Sequence, residues 1–266
     1  VLHIHTEKGR GYQPALENKE AFHWHMPFDL ETGQSKVIDS GKSYSSVMLD
    51  YMDKKVSEGL PLVAINAAIP GIFGLKQFAA KYPDRYIDAG IAEQFTITFG
   101  GAMAAAGARP IIFHNSTFVQ RAYDQFWHDL AINEEPAIVI VKGGVISGSD
   151  ETHQGSSAMT WISNIPNIKY LAPTSEEEFI SILDWALEQH EEPVVIQMPE
   201  HGLESRPTVL TDYSTPSYQM TKSGEKVALL ALGGLYSYGE KVAKVLAENG
   251  INATLINPLF INDLDQ

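Results

Sequence analysis

"RPIIFHNSTFVQRAYDQFWHDLAINEEPAIVIVKGG", residues 109–144, decides the fold. "RPIIFHN" and "PAIVIVKGG" carry apolar residues at consecutive positions, so strands made from them are covered on both faces. "FVQRAYDQFWHDLAIN" lies between them and reads as one helix. A strand, a helix and a second strand in that order give a parallel pair.

The same alternation extends in both directions. Upstream, "YSSVMLDYMDKKVSEG" is an amphipathic helix with Val47, Met48, Tyr51, Met52 and Val56 near helical spacing. "LPLVAINAAI" follows as a buried strand, "GLKQFAAKY" as a short helix and "RYIDAG" as a strand edge. Downstream, "SEEEFISILDWALEQH" opens with a serine and acidic residues, a helix-start signature, and "PVVIQMP" is a strand. The expected fold is therefore α/β: a doubly wound, mostly parallel sheet with helices on both faces over residues 43–203. Residues 1–42 open with the strand-like "VLHIHT" and continue as a connecting segment. Residues 204–223 are polar and read as a linker. Residues 224–266 read strand, Gly-rich turn, helix and strand, an incomplete second α/β domain.

The chain has 266 residues, with 44% hydrophobic and 20% charged residues, the composition of an ordinary globular protein. It has no cysteine, which excludes disulfides and thiolate chemistry and makes a reducing cytoplasm the expected location. The formal charge of −14 offers no basic stripe to neutralise phosphates, so a nucleic-acid partner is not expected. No apolar run is long enough to span a bilayer.

In a parallel sheet the chemistry gathers in the loops leaving the carboxyl ends of the strands. Three such loops stand out: "DAGIAEQ" with Glu93, "FHNSTFVQR" from Phe113 to Arg121, and "KGGVISGSDETHQG" from Lys142 to Gly155. Glu93 is set among Ile91, Ala92, Phe95 and Ile97, ahead of Gly100 and Gly101. A carboxylate in such surroundings needs a partner or a proton, unless it is an ordinary acid in the first turn of a helix. The nine histidines show no pair at metal-ligand spacing on a helix, so no metal site is expected from them.

"GIAEQ", "STFVQRAYDQ", "HDLAI", "THQG" and "APTSEEE", with "HTEKGRGY" and "FHWHMPFD" near the start and "GEKVALLALGGL" near the end, resemble the transketolase-like thiamine diphosphate enzymes. Within that family the pattern is most similar to the 1-deoxy-D-xylulose-5-phosphate synthase branch of isoprenoid precursor biosynthesis, in its pyrimidine-binding domain and part of its C-terminal domain. The resemblance implies that Glu93 hydrogen-bonds the aminopyrimidine of thiamine diphosphate and so activates the cofactor. It implies that Phe118 stacks on that ring, with Arg121 and Ile91 beside it. It implies that His23 faces the reacting carbon and that His153 contacts substrate oxygens. It gives His25 no counterpart. The diphosphate and its magnesium would be held by a "GDG" stretch of a preceding domain. No "GDG" occurs in this sequence, and residues 1–42 resemble the end of that domain. The expectation is a chain cut from a longer protein, acting on small molecules, with a homodimer as the family's assembly.

Departures fall on the substrate side. Where the family has two phosphate-binding arginines, this sequence has Lys142 and Glu200. Asp150 stands one position from the family's aspartate, with Ser149 in its place. Asn115 stands where a tyrosine precedes "STF", and "AEQF" replaces "AEQH". Lys142, Asp150 and Asn115 are thus the substrate-binding candidates. A lysine can hold a phosphate as a point charge, whereas a glutamate repels one. The implied reaction is decarboxylation of pyruvate with transfer of the two-carbon unit to an aldehyde. A transketolase-type relative with another donor or a non-phosphorylated acceptor, and a non-catalytic homologue, are the alternatives.

Overall fold

A computed structural model of the chain describes residues 1–23, 27–36, 41–144, 153–200, 202–207 and 210–265. The chain forms two units, Val1–Gly41 and Lys42–Gln266. In the first unit, "VLHIHT" is not a strand: it has no ladder partner among the described residues, and Val1, Leu2 and Ile4 are exposed. β-propensity alone does not hold an extended segment without a neighbour. The unit is organised instead by a short helix, Gln13–Glu17, and by a cluster of Tyr12, Phe22 and Phe28 with ring centroids 5.2–6.0 Å apart.

The second unit is built on the expected sheet. Its strands are β1 (Leu62–Asn66), β2 (Tyr86–Asp88), β3 (Arg109–Asn115), β4 (Ile138–Lys142), β5 (Lys169–Leu171) and β6 (Val194–Met198). They lie in the order β2-β1-β3-β4-β6-β5, and every pairing is parallel. Register puts Ile65, Ile112, Val139, Val195 and Tyr170 in one row, and Ala64, Ile111, Ile138 and Val194 in the next. The first row packs with Ile97, Phe126, Leu130 and Ile162 on one face, and the second with Met48, Phe179, Leu183 and Phe78 on the other. Two covered faces are what consecutive apolar residues require.

Local signals set the helix starts. Ser43 and Ser46 form a reciprocal capping box at Tyr44–Ser57, and the Ser175 hydroxyl accepts from the Glu178 amide at the start of Glu176–Glu188. The expected single helix over residues 118–133 is replaced by a short α-turn, Ser116–Val119, a 3₁₀ turn, Gln120–Ala122, one more turn, Tyr123–Gln125, and a widened π segment, Phe126–Ala131. Ile132 N donates to the Trp127 carbonyl, five residues back, and the Asn133 side chain donates to the His128 carbonyl. Packing overrides propensity here, because Phe126, Leu130 and Ala131 must all be buried against the Glu93–Ala105 helix.

The polar stretch after β6 contains the fully buried Tyr213 and ends in a strand, β7 (Gln219–Lys222). β8 (Ala228–Leu230), the helix Tyr236–Glu248 and β9 (Thr254–Asn257) form the expected βαβ unit, with β8 parallel and β7 antiparallel to β9. Among the described residues, no helix is long and apolar enough to cross a membrane.

Gly100 and Gly101 explain the small-residue stretch. A Cβ on Gly100 would lie 2.4 Å from Ile112 Cδ1, and one on Gly101 would lie 2.9 Å from the Asp129 carbonyl oxygen. The first neighbour is a flexible side-chain tip and the second is backbone. Gly101→Ala is therefore expected to destabilise the protein by about 1–3 kcal/mol, read as a fall in urea midpoint. Gly71→Ala, with open space around its Cβ, should leave the midpoint unchanged or raise it.

Candidate active site

The strand order turns between β1 and β3: the chain runs outward to β2, then returns to add β3 on the other side of β1. The carboxyl edge at such a turning point is where open α/β sheets bind ligands. The loops that carry Glu93 and Phe118 leave the same carboxyl edge, the first after β2, the neighbour of β1, and the second after β3.

The loop after β2 is shaped by Asp88. One of its carboxylate oxygens accepts from the amides of Ala68 (3.0 Å) and Gly90 (2.9 Å), and the other from Asn66 Nδ2 (3.0 Å). Gly90 takes φ +68°, a conformation that costs glycine nothing, and the chain then turns into the helix at Glu93. Glu93 is the first helical residue and only 3% exposed. Its partner is Arg121, whose Nη1 donates to Glu93 Oε2 at 3.2 Å. Arg121 itself is half exposed. The position at a helix start adds the favourable field of unpaired amides.

The loop after β3 delivers the neighbouring groups. Asn115 caps the Ser116–Val119 turn, its side-chain oxygen accepting from the Thr117 amide at 2.9 Å. Phe118 is half-buried and meets the His153 ring edge to face, with centroids 5.3 Å apart. Gly155 makes that approach possible: it has φ +58°, and a Cβ there would stand 2.0 Å from Ser116 Oγ. Ile91, next to Glu93, is 77% exposed. Ser116 Oγ and Thr117 Oγ1 are buried without a hydrogen-bond partner among the described residues.

Lys142 ends β4, in register with Asn115 on one side and Met198 on the other. Its Nζ donates to the Ile72 carbonyl at 3.0 Å and lies 6.0 Å from the centre of the Phe73 ring. Burial pushes its ammonium pKa down, while the charge of Glu200 works in the opposite direction. His23 belongs to the first unit, where Lys8 Nζ contacts its Nδ1. Asp150 lies outside the described residues. Of the candidates, the structure thus pairs Glu93 with Arg121 and Phe118 with His153.

Composition and spacing gave no reason to single out Asp88, Asn66, Thr96 or His114, although all are buried or hydrogen-bonded around Glu93. His114 is fully buried, its Nε2 lies 2.8 Å from Thr96 Oγ1, and burial pushes its pKa down to about 3. The folded protein therefore keeps it neutral while an unfolded chain takes up a proton below about pH 6.5. Its contribution to stability is constant above that pH and falls as pH drops from about 6.5 towards 3. Urea unfolding between about pH 6 and 4.5 should lose up to about 1.4 kcal/mol per pH unit more in the parent protein than in His114→Gln, and the two slopes should coincide above about pH 7. Equal slopes over the lower range would place His114 in contact with water.

Comparison with known proteins agrees with this geometry. The family described as "Transketolase, pyrimidine binding domain" matches residues 40–205. The 1-deoxy-D-xylulose-5-phosphate synthase 1 of Geobacter sulfurreducens is 36% identical over 270 aligned positions, covering 100% of this chain and 42% of the relative. The 1-deoxy-D-xylulose-5-phosphate synthase of Natranaerobius thermophilus is 35% identical, covering 100% and 43%. The chain spans about two fifths of the length of these relatives. Among solved structures, a transketolase of Pichia stipitis with sedoheptulose 7-phosphate superposes with a TM-score of 0.72 at 17% identity, over 86% of this chain and 36% of the other. A split-gene transketolase, described as an inactive β4 tetramer, superposes with a TM-score of 0.65 at 21% identity, over 80% and 69%. Strand order, loop placement and sequence all lead to one assignment: the chain belongs to the transketolase pyrimidine-binding domain family.

Proposed function

We propose that this chain is the pyrimidine-binding portion of a thiamine diphosphate-dependent transferase of the 1-deoxy-D-xylulose-5-phosphate synthase type. The observation that carries the reading is the nearly buried Glu93 carboxylate, held by Arg121 at the carboxyl edge of the sheet. The residues fit an aminopyrimidine: a carboxylate for a ring nitrogen, an aromatic ring in Phe118, and an uncovered apolar side chain in Ile91. When bound, the cofactor supplies the nucleophilic carbon that adds to a carbonyl donor and stabilises the charge left by loss of carbon dioxide.

In this reading Glu93 shares a proton with the ring nitrogen, and its low exposure keeps water from competing for that proton. Arg121 is the half-exposed, replaceable partner of the carboxylate, and Phe118 orients the ring. His153, against Phe118, is assigned to substrate oxygens. His23 is assigned to proton transfer on its motif alone. Asn115, Lys142 and Asp150 are the substrate-side groups, with Lys142 as the anion binder. The magnesium and diphosphate would be held by a preceding domain. Residues 43–203 are the pyrimidine-binding domain, with residues 1–42 closing the preceding domain, 204–223 the linker and 224–266 opening the C-terminal domain. A homodimer is supported by the exposed Ile91 and by Phe95, which stacks on Phe99 at 5.1 Å. A cytoplasmic location is part of this reading and rests on the proposed metabolic role.

The influence of Glu200 on Lys142 favours a second reading, in which the acceptor aldehyde carries no phosphate. The full-length protein with thiamine diphosphate and magnesium separates the two. Carbon dioxide release from pyruvate should be stimulated by glyceraldehyde 3-phosphate and reduced about 10²-fold or more in Glu93→Gln. Release indifferent to the aldehyde phosphate would select the second reading. No release from pyruvate would overturn the pyruvate donor and point to sugar donors.

A further inference from the structure

The first turn of the Glu93–Ala105 helix is held in an unusual way. Its N-cap residue is Ala92, which has no side-chain oxygen to receive a first-turn amide. The helix is also weakened by two glycines in its interior. Yet the carboxylate at its first position is the group on which the proposed chemistry depends. A buried pair of side chains reaches this turn from below. Thr96 Oγ1 donates to the Glu93 main-chain carbonyl at 2.7 Å and lies 2.8 Å from His114 Nε2. Both Thr96 and His114 are fully buried.

Proton counting fixes the direction of the relay. The Thr96 hydroxyl has one proton, and its contact with the Glu93 carbonyl requires that proton, because two bare oxygens at that distance repel. Nε2 of His114 must then be the donor to Oγ1, and the imidazole carries its proton there. Nδ1 is left as a lone pair with no partner among the described residues. The other tautomer would bury an orphaned N–H on Nδ1 as well, a costly arrangement.

We infer that His114 is a positioning residue for Glu93: protonated on Nε2, it orders the Thr96 hydroxyl onto the Glu93 carbonyl and so fixes the turn from which the carboxylate projects. This rests on the reading of Glu93 as the group that activates the cofactor. His114 sits on β3, one residue before Asn115. The relay therefore ties the loop after β2 to the strand that feeds the loop after β3, so the spacing between Glu93 and Arg121 is set from inside the sheet. That burial keeps the ring uncharged agrees with a fixed tautomer.

The test uses the full-length protein without cofactor first. Amide hydrogen exchange of peptides covering residues 88–99 should speed up about fivefold in Thr96→Val and in His114→Leu, the loss of about one net hydrogen bond. Thr96→Ser and His114→Gln, which keep the hydroxyl and a donor at the Nε2 position, should stay within twofold of the parent. The double variant Thr96→Val/His114→Leu should open no further than either single one, because both break one relay. With thiamine diphosphate and magnesium, deuterium exchange at the reactive carbon of the cofactor should fall about tenfold in Thr96→Val, while the cofactor dissociation constant moves less than threefold. Should His114→Leu fail to fold, the near-isosteric Thr96→Val and its Thr96→Ser rescue decide the question. Parent-like amide exchange in Thr96→Val overturns the inference, as does equal loosening in Thr96→Ser. Undiminished deuterium exchange in Glu93→Gln overturns the activation reading itself, a result distinct from either.

Discussion

A carboxylate removed from water has to be held, and the second unit of this chain is arranged around that requirement at Glu93. The residue is 3% exposed and accepts one hydrogen bond from an arginine that is itself half in solvent. Solvent screens the Arg121 end of the pair, so the ion pair by itself is a modest stabiliser. The remainder of the support is structural. The helix start places unpaired amides beside the carboxylate, Asp88 ties down the preceding turn with two amide contacts, and Gly100 and Gly101 let the helix settle against β3 and the backbone of Asp129. Each of these would be dispensable for a surface glutamate.

The carboxyl edge also separates two electrostatic neighbourhoods. Near β2 and β3, Glu93 and Arg121 offset one another, next to the aromatic pair Phe118 and His153. Near β4 and β6, Lys142 is buried enough for its pKa to fall and is influenced by Glu200. A lysine with a carboxylate nearby presents a weaker field to an anion than an arginine pair does. In the proposed reading, the first neighbourhood serves ring recognition and the second sets acceptor preference.

Much of this was legible in the sequence. Consecutive apolar residues in "IIF" and "AIVIV" announced strands covered on both faces, and Ser175 marked a helix start that the structure reproduces. Glu93, Phe118, Arg121 and His153 were named from contiguous motifs, and the structure brings Glu93 to Arg121 and Phe118 to His153. What escaped depends on register or on packing between distant segments. His114 reads as one more polar residue at a strand end, and only the packing of β3 against the Glu93–Ala105 helix makes it a neighbour of Thr96. The helix expected over residues 118–133 broke into turns of different width because burial of Phe126, Leu130 and Ala131 outweighed propensity. "VLHIHT" had strand composition but no ladder partner among the described residues, and a strand is a relation between two segments.

The asymmetry of the Glu93–Arg121 pair carries the final consequence. If both partners were buried, separating them would leave an uncompensated charge in a low-dielectric site, and the pair would be locked. With Arg121 half exposed, its guanidinium can exchange the carboxylate for water at small cost, while Glu93 has no such freedom. In the proposed reading, a protonated ring nitrogen that enters beside Glu93 therefore competes with a replaceable donor for a fixed acceptor. The carboxylate stays where the helix, Asp88 and the Thr96–His114 relay hold it, and the partner that moves is the one already in contact with solvent.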